Sequence, residues 1–319
     1  MQGIIIGNIS NLYQVKSIKL SSSETKFIES EENRKNCQKG SSQMAIYEAT
    51  ARGRFKKEEI SPVVGDLVAF EVMDEENKKA VIDKILDRKV YVKRPKLANI
   101  TQIVLVVSSK DPKPDLLMLD KQLAFAEFLG IKSLIVLNKT DLDDKTEFKE
   151  IRRIYEKVGY KVLETEAKSQ KGIETLKEEL KDNINAFSGN SGVGKSTLIN
   201  GIFNQEITLE GEISQRNKRG KNTTTSIRLY QIDENTYIAD TPGFSTFSIE
   251  EIESKDLANY FVEFKEKISE CEFVGCTHIK EENCGIKKAV QNGEISLKRY
   301  DRFCKIYQQL KEKEEKKKW

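Results

Sequence analysis

The sequence predicts a multidomain chain that joins a small all-β barrel, a central α/β domain and a mainly helical tail. Three observations carry this reading. Residues 1–94 hold short β-type runs broken by turn residues, residues 95–250 alternate buried-strand and helix patterns, and residues 251–319 lose the β alternation. A chain of 319 residues with 38% hydrophobic content suits two or three globular cores rather than one.

In the first region the β-type runs are Gly3-Ile4-Ile5-Ile6, Met44 to Tyr47, Asp66 to Phe70 and Ala80 to Ile85. Short strands punctuated by turns read as a barrel. The Ser- and Glu-rich stretch Ser21 to Ser42 reads as a loop. In the second region, Ile103 to Val107 and Ser133 to Leu137 are continuous apolar runs, the mark of parallel strands covered on both faces. Helical patterns at Leu116 to Leu129, Glu147 to Val158 and Thr175 to Leu180 separate further extended segments at Tyr160 to Leu163 and Ile184 to Phe187. The third region ends in a Lys/Glu run, Lys311 to Lys318, which reads as a solvated helix end or a phosphate-contacting tail.

Charge decides little, because 54 basic and 51 acidic residues leave a net charge of only +3. No segment approaches the roughly 18 to 20 apolar residues of a membrane span. The first ten residues lack the pattern of a secretory signal. A cytoplasmic protein with no membrane partner is expected, and a monomer.

Gly189-Asn190-Ser191-Gly192-Val193-Gly194-Lys195-Ser196 fits the phosphate-loop pattern G-x-x-x-x-G-K-[ST] in full. It follows a strand and opens a helix from Thr197 to Phe203. Glycines let successive N–H groups turn toward phosphate oxygens, and the helix N-terminus adds partial positive charge. Lys195 is placed to reach the β- and γ-phosphates, and the Ser196 hydroxyl to coordinate Mg²⁺. Asn138-Lys139-Thr140-Asp141 chooses the base. A carboxylate at Asp141 can accept from guanine N1–H and its exocyclic amine, a donor pair that adenine lacks. Asp240-Thr241-Pro242-Gly243 supplies the third element: Asp240 to hold Mg²⁺ through water, and the Gly243 N–H to sense the γ-phosphate. Among Thr223, Thr224 and Thr225, Thr224 is the choice to complete the Mg²⁺ shell. GTP and GDP with Mg²⁺ are the expected ligands.

The order of these motifs is informative. The base motif precedes the phosphate loop, the reverse of an ordinary small GTPase, so the domain is read as a circularly permuted P-loop GTPase. Whatever follows Gly243 is then attached directly behind the γ-phosphate sensor.

Cys271-x4-Cys276-x-His278-x5-Cys284 gathers three thiols and the only histidine. Four such ligands suit a closed tetrahedral site, so one structural Zn²⁺ is expected.

The chain at this point resembles the RsgA or YjeQ family of small-subunit-dependent GTPases. The resemblance rests on Pro62-Val63-Val64-Gly65-Asp66, the permuted order, Ser191 to Ser196, Gly220-Lys221-Asn222-Thr223-Thr224, Asp240-Thr241-Pro242-Gly243-Phe244 and the cysteine cluster. It implies an OB-type barrel, a zinc-binding tail and a role in late maturation of the small ribosomal subunit, with rRNA as a ligand. Arg52-Gly53-Arg54-Phe55-Lys56-Lys57 is the candidate RNA-binding stretch of the barrel.

Two departures bear on chemistry. Where the family has His before the threonines this chain has Asn222, whose amide can orient water but cannot take a proton. The catalytic set is therefore Lys195, Thr224 and, with its role in question, Asn222. Thr165-Glu166-Ala167-Lys168 stands where the family carries small residues beside the guanine, so backbone contact is expected there. Two function classes follow: a GTPase stimulated by the small subunit, or a GTP-dependent ribosome-binding module that hydrolyses little.

Overall fold

The computed structural model describes residues 1–9, 11–18, 45–53, 55, 60–142, 147–204, 227–240 and 249–317. The expected loop from Ser21 to Ser42 lies outside the described residues. The described residues fall into two units. The first holds residues up to Ile100 with 227–231, Ala239 and Asp240, and the second holds the remainder.

In the first unit, β1 (Gln2–Ile9), β2 (Leu12–Ser17), β3 (Ile46–Ala51), β4 (Leu67–Asp74) and β5 (Lys79–Ile85) stand in the order β1-β2-β3-β5-β4. A further β1–β4 pairing closes the ring. Closure leaves no open edge, and the period-2 alternation sends Val15, Tyr47, Ala49, Val68, Phe70, Ala80 and Ile82 inward. The Pro62–Asp66 stretch is pinned by its own carboxylate. Asp66 is fully buried and accepts from Val63 N at 2.7 Å and from Arg88 Nε and Nη2 at 2.7 and 2.8 Å. A forked guanidinium on a buried carboxylate is the pairing that best satisfies both charges. β6 (Tyr91–Lys93) and β7 (Lys96–Ala98) form a small hairpin.

The second unit contains β8 (Gln102–Ser108), α1 (Leu116–Leu129), β9 (Lys132–Asn138), α2 (Glu147–Val158), β10 (Lys161–Thr165), α3 (Ile173–Leu180), β11 (Ile184–Ser188) and α4 (Lys195–Phe203). The parallel order is β10-β9-β8-β11. Every residue of β8 is buried, as a central strand with helices on both faces requires. The register aligns Ser108 and Thr165 with Asn138. The loops after β8, β9 and β10 therefore leave one edge of the sheet, with the loop after β11 beside them, and this carboxyl edge is where such sheets bind ligands.

β12 (Arg228–Gln231) belongs to the first unit and pairs antiparallel with β1 at Gly7 and Arg228. β13 (Tyr237–Asp240) lies beside β11. Tyr237 N donates to Asn183 O at 2.9 Å, and Asn185 Nδ2 donates to Tyr237 O at 3.1 Å.

Beyond Ile249 come short 3-10 turns, then α5 (Gly285–Gln291) and α6 (Leu297–Lys317). Their core gathers Phe261, Phe264, Phe303, Ile306 and Leu310 and includes Ala124 of α1, so the tail packs on that helix of the α/β layer. A buried ionic cluster joins the same elements. Arg299 Nη1 donates to Asp120 Oδ1 at 2.6 Å, Arg299 Nε to Glu263, Arg302 Nε to Asp120, and Tyr155 OH to Asp120 Oδ1 at 2.7 Å. Arg299 and Asp120 are each 1% exposed, so both charges depend on these partners alone.

Candidate nucleotide site and metal centre

The phosphate loop turns between β11 and α4. Gly189 and Gly194 sit at φ +143° and +97°, where a side chain is strained. A Cβ at Gly189 would collide with Val106 O, and one at Gly194 with Asn138 Nδ2. These glycines thus allow the loop to press against β8 and the β9 loop. Lys195 Nζ donates to Gly189 O at 2.6 Å and Asn190 O at 2.9 Å, which keeps the ammonium over the mouth of its own loop. Burial lowers the Lys195 pKa, a cost that an anion beside it would offset. Ser196 and Thr197 are exposed in the first turn of α4, which begins at Lys195 rather than at Thr197. Ser191 and Gly192 are exposed and Val193 is buried in the core under the loop.

Asn138 connects the phosphate loop to both loops expected to meet the base. Its Nδ2 donates to Val193 O at 2.9 Å, and its Oδ1 accepts from Thr165 Oγ1 at 3.0 Å and Ala167 N at 3.2 Å. Asn138 is fully buried, so each of these bonds replaces a lost contact with water. Lys139 takes a positive φ of 65°, and its Nζ donates to Asp111 O. Thr140–Leu142 form a 3-10 turn that leaves Asp141 exposed. Among the described residues no hydrogen bond or ion pair occupies the Asp141 carboxylate. Two acceptor oxygens are thereby presented at the carboxyl edge, three residues after Asn138, which bonds the phosphate loop.

The structure thus brings Asn138 to Asp141 together with Gly189 to Thr197. Asn222, Thr224 and Gly243 lie outside the described residues, as does the side chain of Asp240, whose backbone ends β13. Gln122 was not singled out by sequence. It is buried on α1, and its Nε2 donates to Ser188 Oγ at 2.7 Å, one residue before the loop. No sequence signal marked it, because Asp120, Lys121, Gln122 and Glu127 are all polar or charged within Leu116 to Leu129.

The second cluster also forms. One ligand atom from each of Cys271, Cys276, His278 and Cys284 lies within 4.8 Å of the others. Cys271 Sγ and Cys284 Sγ are 3.9 Å apart, and His278 Nδ1 is 3.4 Å from each. Ligands about 2.3 Å from a tetrahedral Zn²⁺ would stand roughly 3.8 Å from one another, so the donor set fits that ion. Burial pushes the Cys276 thiol up to about 12 and the Cys284 thiol upward, and a cation between them offsets that cost. His278 takes φ 62°, and its carbonyl accepts from Tyr300 OH at 2.8 Å. The Glu281 carboxylate accepts from Thr277 N at 3.0 Å and Thr277 Oγ1 at 2.9 Å, bracing the turn.

In the barrel, Phe55 is only 6% exposed, and Arg52 pairs with Glu71 and Asp83 at 3.0 and 2.9 Å. Phe55 therefore packs in the core instead of stacking on a base. Arg54, Lys56 and Lys57 lie outside the described residues.

A family profile described as RsgA GTPase matches residues 85–250, more than half of the chain. The chain belongs to the RsgA GTPase family. A second profile, the RsgA N-terminal domain, matches residues 40–82. The RsgA of Clostridium botulinum strain Loch Maree, named a small ribosomal subunit biogenesis GTPase, is 40% identical over 274 residues, covering 86% of this chain and 92% of that protein. The protein of the same name from Ruminiclostridium cellulolyticum is 42% identical over 267 residues, covering 84% and 87%. The crystal structure of YjeQ from Thermotoga maritima matches with a TM-score of 0.77 at 33% identity, over 97% of this chain and 98% of that one. YloQ, described as a circularly permuted GTPase, matches with a TM-score of 0.75 at 28% identity, over 98% and 95%. The two profiles fall on the barrel and on the region that carries the permuted motifs, and the Cys₃His cluster lies beyond both. Among the described residues no helix is long and apolar enough to cross a membrane.

Proposed function

We propose that this chain is a cytoplasmic GTPase that binds the small ribosomal subunit and its rRNA, acts in late maturation of that subunit, and hydrolyses GTP to GDP and phosphate. The observation that supports this most is the buried amide of Asn138, which opens the Asn138–Asp141 motif and ties it to the phosphate loop and to the loop after β10. Base and phosphates are then read by one rigid edge. In this reading Asn138, Lys139, Thr140 and Asp141 hold the guanine, and Gly189 to Thr197 wrap the phosphates. Lys195 draws charge from the γ-phosphate as the bond breaks. Ser196, Thr224 and Asp240 are the residues that would hold Mg²⁺, which supplies neutralisation of phosphate charge. Zn²⁺ on Cys271, Cys276, His278 and Cys284 is structural. The chain acts as a monomer.

Phe244 follows Asp240-Thr241-Pro242-Gly243 in place of a glutamine, and Asn222 stands in place of histidine, so neither position supplies a general base. Slow intrinsic hydrolysis and strong stimulation by the subunit are expected, since completion by a partner raises such rates by roughly 10³ to 10⁵. Multiple-turnover phosphate release with and without isolated small subunits tests this, alongside co-sedimentation with GDP and with a non-hydrolysable GTP analogue. Stimulated release and tighter sedimentation in the GTP state support the assembly-switch reading. Nucleotide-dependent sedimentation without release would favour the binding-module reading, and indifference in both would defeat the ribosomal role.

A further inference from the structure

Glu166 occupies the loop after β10, where backbone contact with the base was expected. Its carboxylate is the meeting point of three donors. Thr140 Oγ1 donates to Oε1 at 2.9 Å, Lys171 Nζ to Oε1 at 2.8 Å, and Ser169 Oγ to Oε2 at 2.9 Å. The loop that carries it is closed on itself, because Glu166 N donates to Lys171 O at 3.0 Å and Ser169 N to Glu166 O at 3.2 Å. Thr140 is the residue directly before Asp141 and begins the same 3-10 turn. Asn138 already holds the backbone of Ala167, on the other side of Glu166. The two base loops are therefore stitched by Asn138 in the core and by Thr140 at the rim, where the Glu166 carboxylate is its nearer partner. On the turn that aims Asp141, Thr140 Oγ1 meets the Glu166 carboxylate at 2.9 Å and, more distantly, Thr165 O at 3.5 Å, so Glu166 is its shorter anchor.

We infer that Glu166 is a positioning residue for guanine recognition: by fixing Thr140 it holds the Asp141 carboxylate at the angle that accepts both N1–H and the exocyclic amine. The inference rests on the reading of Asp141 as the guanine acceptor and adds a residue that touches no nucleotide. Three donors on one ionised acceptor, one of them cationic, make a stiffer clamp than a neutral pair would. A carboxylate free to swing would keep one of its two bonds to the base more easily than both. Loss of the clamp should therefore weaken discrimination as well as affinity.

The test uses the full-length protein and measures affinity for GDP, IDP and ADP by fluorescence competition; IDP lacks the exocyclic amine. Glu166→Ala is expected to weaken GDP binding roughly tenfold, the scale of one lost charge-assisted bond, and to narrow the GDP-to-IDP ratio. Thr140→Val should do the same. The double variant should be no worse than Thr140→Val alone, which already cuts the Thr140 bonds to Glu166 and to Thr165 O. Thr140→Val decides the matter should Glu166→Ala fail to fold. Selective wild-type binding with unchanged GDP-to-IDP ratios in the variants, or losses that add in full, would overturn the inference alone. Equal wild-type affinity for GDP and ADP would overturn the guanine reading itself, and the inference with it.

Discussion

Asn138 uses both ends of one amide, and removing it orphans several groups at once. Asn138→Ala leaves the Val193 carbonyl, the Ala167 N–H and the Thr165 hydroxyl without that partner in a fully buried place. Such groups cost about 1 to 3 kcal/mol when unsatisfied, so a loss of at least this size is expected in urea unfolding, together with weaker nucleotide binding. Glu166 predicts a pH signature. Hydrogen bonds from Lys171, then Ser169 and Thr140, hold its carboxyl at about 2, below the ordinary 4.5. A lowered folded value means that the ionised group adds stability above about pH 4.5 and loses it as pH falls through about 2. The difference in urea midpoint between wild type and Glu166→Gln should therefore be flat from pH 8 to about pH 5 and shrink below that. A difference that grows toward low pH would contradict the clamp.

At the scale of elements, α1 is the helix most fully written in the sequence. Its bounds were expected at Leu116 and Leu129 and are found there. The reason is local: Asp115 accepts from Met118 N at 2.9 Å, and Gly130 ends the helix at φ 67°. The phosphate-loop turn, the Asn138–Asp141 turn and the Cys₃His cluster were legible for a similar reason, since each is a short pattern of chemically specific residues. β2 was not read, because Leu12 is exposed while Tyr13, Val15 and Ser17 are buried, too few apolar residues to announce a strand. β6, β7 and β12 span three or four residues each and are defined by the strands they meet. The buried ionic cluster was equally silent. Asp120 and Arg299 are 179 positions apart in a chain where 33% of residues are charged, so neither stands out before folding. That cluster fastens α6 to α1 and α2. Arg299→Ala would leave Asp120 and Glu263 short of a cation and is expected to cost about 3 to 5 kcal/mol, measured by chemical denaturation. A loss under about 1 kcal/mol, the range of an exposed pair, would show that water reaches the cluster.

For the molecule as a whole, the proposed zinc would stabilise the Cys₃His knuckle and leave the apolar core of the sheet to hold without it. Cys276→Ala should lower zinc from about one ion per chain to a small fraction, since three remaining ligands bind weakly. Hydrogen exchange should then quicken first across Cys271 to Ile295, ahead of the sheet strands. Unchanged zinc content would disprove the four-ligand assignment. The reversed motif order also sets a timetable. Asn138 and its acceptor Val193 are 55 residues apart, with the base-facing residue made first. A chain still being translated therefore completes its guanine-facing strands while the phosphate cradle is still unmade, and it has no means to hold a nucleotide until more than half its length exists. Nucleotide capture is therefore expected late in the synthesis of each copy.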